Sequence, residues 1–118
     1  MADGTAEQID VTIPPSGEGC LECEQTGGWW VHLRRCAACG HIGCCDTSPA
    51  QHATAHYTET GHALIRSFEP GEVWFFDFAT QETFASGPDL APPENHPESQ
   101  TVPGPADRVP ANWRELIH

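Results

Sequence analysis

The stretch "CAACGHIGCCDTSPAQH", residues 36–52, holds four of the six cysteines of the chain and two of its seven histidines. Cys36 and Cys39 form a Cys-x-x-Cys pair, and twelve residues separate this pair from another one, Cys20 and Cys23. The two thiolates of such a pair can reach one tetrahedral ion, at Zn–S distances of about 2.3 Å. Two such pairs in one short chain strongly indicate bound metal.

Four further residues bring the number of candidate ligands to eight: Cys44, His52, His56 and His62. His52 and His56 are four residues apart, so on a helix their imidazoles share one face, about 5 to 6 Å apart at Cβ. Eight ligands close two four-coordinate sites with no open position, which indicates structural zinc. No His-Glu-x-x-His motif supplies the base of a hydrolytic site. Spacing alone leaves the pairing of the ligands open, and His41 remains a possible substitute.

The charge balance narrows the range of partners. The chain has 17 acidic residues against five arginines and no lysine, for a formal net charge of −12. This excess disfavours both nucleic acid and anionic membranes as partners.

No apolar run reaches the length of a membrane span, and the N-terminus lacks the pattern of a signal peptide. We therefore expect a cytoplasmic protein whose reduced cysteines bind metal or take part in redox chemistry.

Other uses of the cysteines are weaker interpretations. Thiol–disulfide exchange needs a Cys-x-x-Cys between a strand and a helix of a βαβ unit, whereas both pairs here flank predicted strands or turns. An iron–sulfur cluster would leave the histidines without a role. A thiol and zinc redox sensor, in which Cys45 reacts beside metal-bound Cys44, remains the alternative function.

Composition divides the chain into four segments. Residues 1–18 form a polar N-terminal extension, in which Ile9, Val11 and Ile13 alternate as in a short edge strand. Residues 19–85 form the core, whose size makes apolar burial alone marginal, so a metal staple is expected. Residues 86–112 contain seven prolines and predict an extended or disordered linker. Residues 113–118 predict a short amphipathic helical turn.

Local patterns in the core predict three strands and one main helix. The helix is expected to have Ser48 as its N-cap, to gain a capping box from Gln51, and to end at Gly61. Alternation and β-propensity predict strands within residues 29–35, 62–68 and 73–78.

The segments "CLEC", "WWVHLRRCAACGHIGCC" and "HATAHYTETGH", in this order, resemble the ubiquitin-specific-protease-type zinc finger, or ZnF-UBP domain. The resemblance covers Gly19 to about Phe78 and implies a stand-alone, single-domain member. The implied fold is α+β: a small zinc-stapled domain with a twisted antiparallel sheet, one main helix packed on it, and two interleaved zinc sites. One Zn²⁺ would be bound by Cys20, Cys23, Cys44 and His52. The other would be bound by Cys36, Cys39, His56 and His62.

The same resemblance implies protein recognition without catalysis. Family members that bind ubiquitin hold its free C-terminal Gly-Gly tail in a pocket built from an Arg, a Tyr and a Trp. Trp74 matches that Trp, but Asp46 stands where those members carry the Arg. We therefore expect a monomer that binds a protein or peptide tail near Trp74, Asp46 and Phe76, with the ubiquitin tail a poor ligand. An anionic group on a partner would be expected to meet Arg34, Arg35 and Arg66.

Overall fold

The structure is a computed structural model that describes residues 9–118, so the first eight residues of the N-terminal extension lie outside it. Within residues 9–118, two α-helices, five strands and one 3₁₀ helix follow one another. Their bounds are α1 (Leu21–Thr26), β1 (Leu33–Cys36), β2 (Ile42–Cys44), α2 (His52–Thr60), β3 (Leu64–Ser67), β4 (Phe75–Asp77), β5 (Glu82–Phe84) and the 3₁₀ helix Trp113–Glu115.

The five strands form one antiparallel sheet in the order β2-β1-β3-β4-β5. The register places Arg34 opposite Gly43 and Ser67, and Ile65 opposite Phe76. Opposed residues point to the same side of a sheet and successive residues alternate, so Arg34, Gly43, Ile65 and Phe76 share one face, here called face A. The opposite face, face B, carries Leu33, Arg35, Leu64, Arg66 and Phe75.

The sequence predicted the three central strands, although the structure gives them different bounds. The first begins only at Leu33, because the backbone of Trp30 pairs instead with Gly104 in an isolated bridge. Ile9 lies in no strand, and its side chain packs against a small apolar cluster. The edge strands β2 and β5 were not predicted, since three residues are too few to show alternation.

The main helix, α2, begins later than predicted, because Ser48 is not its N-cap. The Ser48 side chain is fully buried, and its hydroxyl accepts a hydrogen bond from the backbone N–H of Val31 at 2.8 Å. The cap position is held by Gln51 in a left-handed conformation, without a side-chain capping bond, and His52 is the first helical residue. The predicted end is confirmed, since Gly61 closes the helix at φ 78°.

The two helices lie on opposite faces of the edge strand β2. On face A, the position of a Cβ on Gly43 falls 2.7 Å from the backbone N of Ala53, so α2 lies directly against the strand. On face B, α1 contacts β2 and contributes Cys20 and Cys23 to the main apolar core. The other members of that core are Trp30, Leu33, Ile42, Cys44 and Phe68.

The Pro-rich segment is not a free linker, and this prediction is wrong. Residues 88–108, here called the strap, lie against the domain although they contain no helix or strand. Leu90 is 3% exposed and belongs to the apolar cluster with Ala37, Leu64 and Phe75. From face B, the Arg35 guanidinium donates to the carbonyl oxygen of Pro93, and Arg66 donates to that of Glu94. Prolines prevent regular structure in this segment, but its carbonyl groups find buried donors.

Polar contacts continue along the strap. The buried His96 ring places Nε2 2.9 Å from a carboxylate oxygen of Glu69, whose other oxygen accepts the N–H of Leu33. The indole N–H of Trp30 donates to the side-chain oxygen of Gln100 at 3.0 Å. The strap therefore closes face B.

The C-terminal residues form a short turn, as their pattern suggested, and it is a 3₁₀ helix. The last residue, His118, donates its backbone N–H to the carbonyl of Thr47 at 2.9 Å, which fixes the chain end beside the loop before α2. Within residues 9–118, no helix has the length and apolar character needed to cross a membrane.

Candidate metal centres and binding groove

Four donor atoms meet at one end of β2, in what we call the first cluster. Cys20 and Cys23 come from the start of α1, Cys44 ends β2, and His52 begins α2. The Nδ1 atom of His52 lies 3.2, 3.4 and 3.6 Å from the sulfurs of Cys20, Cys23 and Cys44, respectively. The sulfurs of Cys23 and Cys44 are 4.0 Å apart.

The second cluster consists of Cys36, Cys39, His56 and His62. Cys36 ends β1, Cys39 lies in the turn that follows, His56 lies on α2, and His62 comes just after the helix. The Cys36 sulfur is 3.6 Å from His62 Nδ1, and the Cys39 sulfur is 3.3 Å from His56 Nε2. In each cluster all four donor atoms lie within 4.8 Å of one another.

The donor separations fit a tetrahedral zinc ion. Typical bond lengths and angles place two sulfurs about 3.8 Å apart, and a sulfur and a nitrogen about 3.6 Å apart. Charge supports the same conclusion in the first cluster. Hydrogen bonds from Cys20 and Cys23 lower the pKa of the Cys44 thiol, whereas contact with Cys20 and Cys44, together with burial, raises the pKa of Cys23. A divalent cation is the charge that would let all three thiols ionise.

The second cluster shows the same balance. Burial raises the pKa of the Cys36 thiol to about 11, so this thiol needs a cation to become a thiolate. Burial, aided by neighbouring His41 and His62, lowers the pKa of His56 to about 4. The His56 ring is therefore neutral near pH 7, which is the form that binds metal.

The geometry answers the pairing question that spacing left open. Each cluster takes one Cys-x-x-Cys pair, and the two clusters interleave because α2 supplies His52 to the first and His56, one turn later, to the second. The structure thus brings together the two ligand sets that the family resemblance implied. His41 contributes to neither set among the residues described.

Cys45 directly follows Cys44 in sequence but belongs to neither cluster among the described residues. It is 6% exposed, and its sulfur lies 3.5 Å from the Ser48 hydroxyl. Burial alone would raise the pKa of this thiol, but hydrogen bonds to His32 and Ser48 outweigh burial and lower it to about 6. Cys45 is therefore a separate thiol, adjacent to the first cluster in sequence only.

A groove with a volume of about 500 Å³ lies on face A beside α2. The three predicted partner-binding residues line it together: Trp74 and Phe76 are half-buried, and Asp46 is exposed. The Asp46 carboxylate accepts a hydrogen bond from the Thr54 hydroxyl on α2. The remaining lining residues are Arg34, Cys45, Thr47, Ala53, Thr54, Ile65, Phe78 and Thr83.

Arg34 lines the groove. The sequence alone suggested that a partner could reach Arg34, Arg35 and Arg66 alike. The Arg34 guanidinium carbon lies 4.7 Å from the centroid of the Trp74 ring, a cation–π arrangement. Arg35 and Arg66 are 1% and 4% exposed and are bound to the strap, so the expectation that a partner would reach them is wrong. The alternation along β1 could have placed Arg34 on a different face from Arg35.

Comparison with known proteins gives the family. The sequence model described as "Zn-finger in ubiquitin-hydrolases and other protein" matches residues 20–86, which is more than half of the chain. The chain belongs to this zinc-finger family, a family of zinc-binding modules, and its two clusters fit that role.

Two individual proteins illustrate the likeness. Ubiquitin carboxyl-terminal hydrolase 14 of Arabidopsis thaliana is 36% identical over 63 residues, which are 51% of this chain but only 8% of that protein. The solution NMR structure of protein RPA1320 from Rhodopseudomonas palustris is 40% identical, with a TM-score of 0.65. It matches over 87% of this chain and 95% of its own. The similarity to RPA1320 thus extends over most of both chains, whereas the similarity to the hydrolase covers about half of this chain and a small part of that protein.

Proposed function

We propose that the chain is a non-catalytic recognition module that binds two Zn²⁺ ions, one in each cluster. The support is that eight donors form two complete sets of tetrahedral size. Four protein ligands per ion leave no position for a reactive water, so the metal would stabilise the fold rather than catalyse a reaction. Six cysteines without a disulfide support a reducing compartment, and we propose the cytoplasm.

The observation that carries a recognition role is the groove. Its floor is apolar, formed by Ile65, Phe76 and Phe78, and its two walls carry opposite charges on Arg34 and Asp46. A peptide segment of a protein partner fits such a groove, because its side chains can cover the apolar floor while its polar groups meet the walls. The acidic chain, with a formal charge of −12, argues against nucleic acid or an anionic membrane. We propose that the module acts as a monomer.

The free tail of ubiquitin is proposed to be a poor ligand. A carboxylate held by a bidentate guanidinium makes bonds that contribute about 1.5 to 3 kcal/mol. Asp46 would instead repel a carboxylate at its end of the groove. Arg34 is the groove's cation, but it already lies over the face of Trp74 that a peptide would contact. A tail would therefore have to displace Arg34 from the ring and also avoid Asp46.

A titration tests the site and the ligand together. Labelled protein is titrated with ubiquitin and with a peptide ending in Arg-Gly-Gly, and Asp46→Arg is expected to bind both more tightly than the parent. Trp74→Ala should abolish any binding gained. The matched control is Trp113→Ala, since Trp113 is also half-buried and also stacks with an arginine but lies outside the groove. Micromolar binding by the parent that Trp74→Ala removes would refute the proposed exclusion of the ubiquitin tail.

The redox alternative keeps one supporting observation. Cys45 lines the groove, and its pKa is lowered to about 6, so the thiolate is its major form at neutral pH. As a sensor, Cys45 would oxidise under mild peroxide, and zinc would leave the first cluster, which contains the neighbouring residue Cys44. Mass spectrometry after peroxide treatment distinguishes the two functions. An unmodified Cys45 with both zinc ions retained supports the recognition module, and oxidation with zinc loss supports the sensor.

A further inference from the structure

His41 is a buried polar residue outside both ligand sets, yet it contacts the second cluster. Only 8% of it is exposed. Its ring lies parallel to the ring of His56, with centroids 4.0 Å apart and planes 4° apart. The His56 ring directs its Nε2 at the Cys39 sulfur, at 3.3 Å. The stack therefore fixes the orientation of a ring that supplies a donor atom.

The other end of His41 reaches the first cluster. Its Nε2–H donates to the Glu22 carboxylate, whose oxygens lie 2.9 and 2.8 Å away. Glu22 stands on α1 between the ligands Cys20 and Cys23, and its Oε1 lies 4.0 Å from the Cys20 sulfur. The His41 side chain thus contacts His56, a candidate ligand of the second cluster, and Glu22, which lies between two candidate ligands of the first cluster.

The path of this contact runs around the edge of the sheet. α1 lies on face B of β2 and α2 on face A, and His41 sits in the turn just before β2. The ring lies close to Gly43, where an added Cβ would meet its Cε1 at 2.9 Å. The first cluster joins α1 and α2 at the Cys44 end of β2. The contacts from Glu22 through His41 to His56 join the same two helices at the opposite end of that strand.

We propose that Glu22 and His41 are positioning residues that couple the two metal centres, so that zinc in one centre strengthens zinc binding in the other. This inference rests on the proposed zinc binding. With the link intact, the ion in the first centre holds α1, α1 holds Glu22, and His41 keeps the His56 ring aimed at the second ion. Without the link, each centre keeps its own ligands but loses the support of the other.

The test is stepwise zinc removal from the loaded full chain by a chelator, followed by native mass spectrometry. The parent should pass from two ions to none, with the one-zinc species remaining minor. In Glu22→Ala the one-zinc species should accumulate. Alkylation should then modify Cys36 and Cys39 but spare Cys20, Cys23 and Cys44, because the second centre empties first.

Three further variants separate the two contacts of the link. His41→Phe keeps an aromatic ring on His56 but loses the bond to Glu22, so its one-zinc species should resemble that of Glu22→Ala. His41→Ala loses both contacts, and zinc affinity at the second centre should fall about 10- to 100-fold. Glu22→Gln keeps an acceptor and should restore much of the parent behaviour. Glu24→Ala is the matched control, since Glu24 is an acid on the same helix that pairs with Arg108.

Each outcome is decisive. A one-zinc species that is abundant in the parent, or no more abundant in Glu22→Ala and His41→Phe than in the parent, overturns the coupling while leaving zinc binding intact. A folded parent without zinc overturns the proposed function itself, and the coupling with it. If His41→Ala does not fold, Glu22→Ala still decides the question, since it leaves the stacked rings untouched.

Discussion

Replacing Gly43 by Ala should push α2 away from β2 and release zinc from the first cluster. The added Cβ would lie 2.7 Å from the backbone N of Ala53 and 2.9 Å from its Cα, and 2.9 Å from the His41 ring. None of these atoms is the free end of a flexible side chain. Cys44 follows Gly43 and His52 precedes Ala53, so the new methyl group separates two elements that supply ligands to one ion.

The size of the effect follows from these distances. Ordinary contact begins at 3.4 Å, so α2 must retreat by about 0.7 Å, the difference between 3.4 and 2.7 Å. Zinc–ligand distances tolerate only about 0.2 Å. Overpacking typically costs about 1 to 3 kcal/mol, and we expect the upper end because the clash is with backbone. For a domain of this size, the melting temperature should fall by roughly 10 to 20 °C.

Thermal unfolding and native mass spectrometry measure the two consequences separately. Gly43→Ala should melt earlier and hold fewer than two zinc ions at a zinc concentration that saturates the parent. Gly17→Ala is the control, since a Cβ there meets nothing within 4 Å. If Gly43→Ala keeps both ions and melts within 2 °C of the parent, roughly the effect of 0.5 kcal/mol, the close contact between α2 and β2 does not exist as described.

Three further tests, each made by substitution, examine particular contacts. Cys45→Ser should keep both zinc ions in native mass spectrometry, whereas Cys44→Ser should lose at least one; the reverse result would mean that the ligand is misassigned. Ser48→Ala should cost about 1 to 3 kcal/mol in denaturant unfolding, because it leaves a buried backbone N–H unpaired. Hydrogen exchange should become faster at the Val31 amide. If Ser48 were the N-cap of α2, exchange would instead become faster at the start of that helix. Leu90→Ala should cost about 2 kcal/mol or more. The exposed Val102→Ala should cost almost nothing, and equal effects would show that the strap is not docked.

The sequence predicted the ligand chemistry better than the path of the chain. Two Cys-x-x-Cys pairs and histidines four residues apart indicate metal by local geometry alone, since each pair needs only one turn to converge. The pairing of the sets could not be read from spacing, because it depends on where α2 packs on the sheet. α2 packs against β2 and β1 and brings His52 and His56 to different clusters, and the family resemblance supplied that information in advance.

The predictions that failed were those in which a long-range contact overrode a local signal. Ser48 has every local feature of an N-cap, but its hydroxyl accepts the N–H of Val31, seventeen positions away in sequence. The proline-rich segment looks disordered by composition, yet Arg35 and Arg66 donate to its carbonyls from face B. No local pattern contains such information, because both partners of each bond look ordinary when considered alone.

The dimensions of the fold explain why a groove exists on face A. A helix is about 10 Å wide, whereas five strands at a spacing of about 4.8 Å make a sheet about 19 Å across. α2 contacts β2 and β1, so among residues 9–118 no helix covers β3, β4 and β5 on that face.

The side chains left on this open part of face A include Ile65, Phe76 and Phe78, which form an apolar floor instead of a charged surface. Apolar area open to water forgoes roughly 25 cal/mol per Å², which a protein partner could recover by covering it. The domain can leave this surface open because its stability comes from elsewhere. The metal centres would fix α2 at the edge strand, and the strap closes face B, so neither depends on burying the groove.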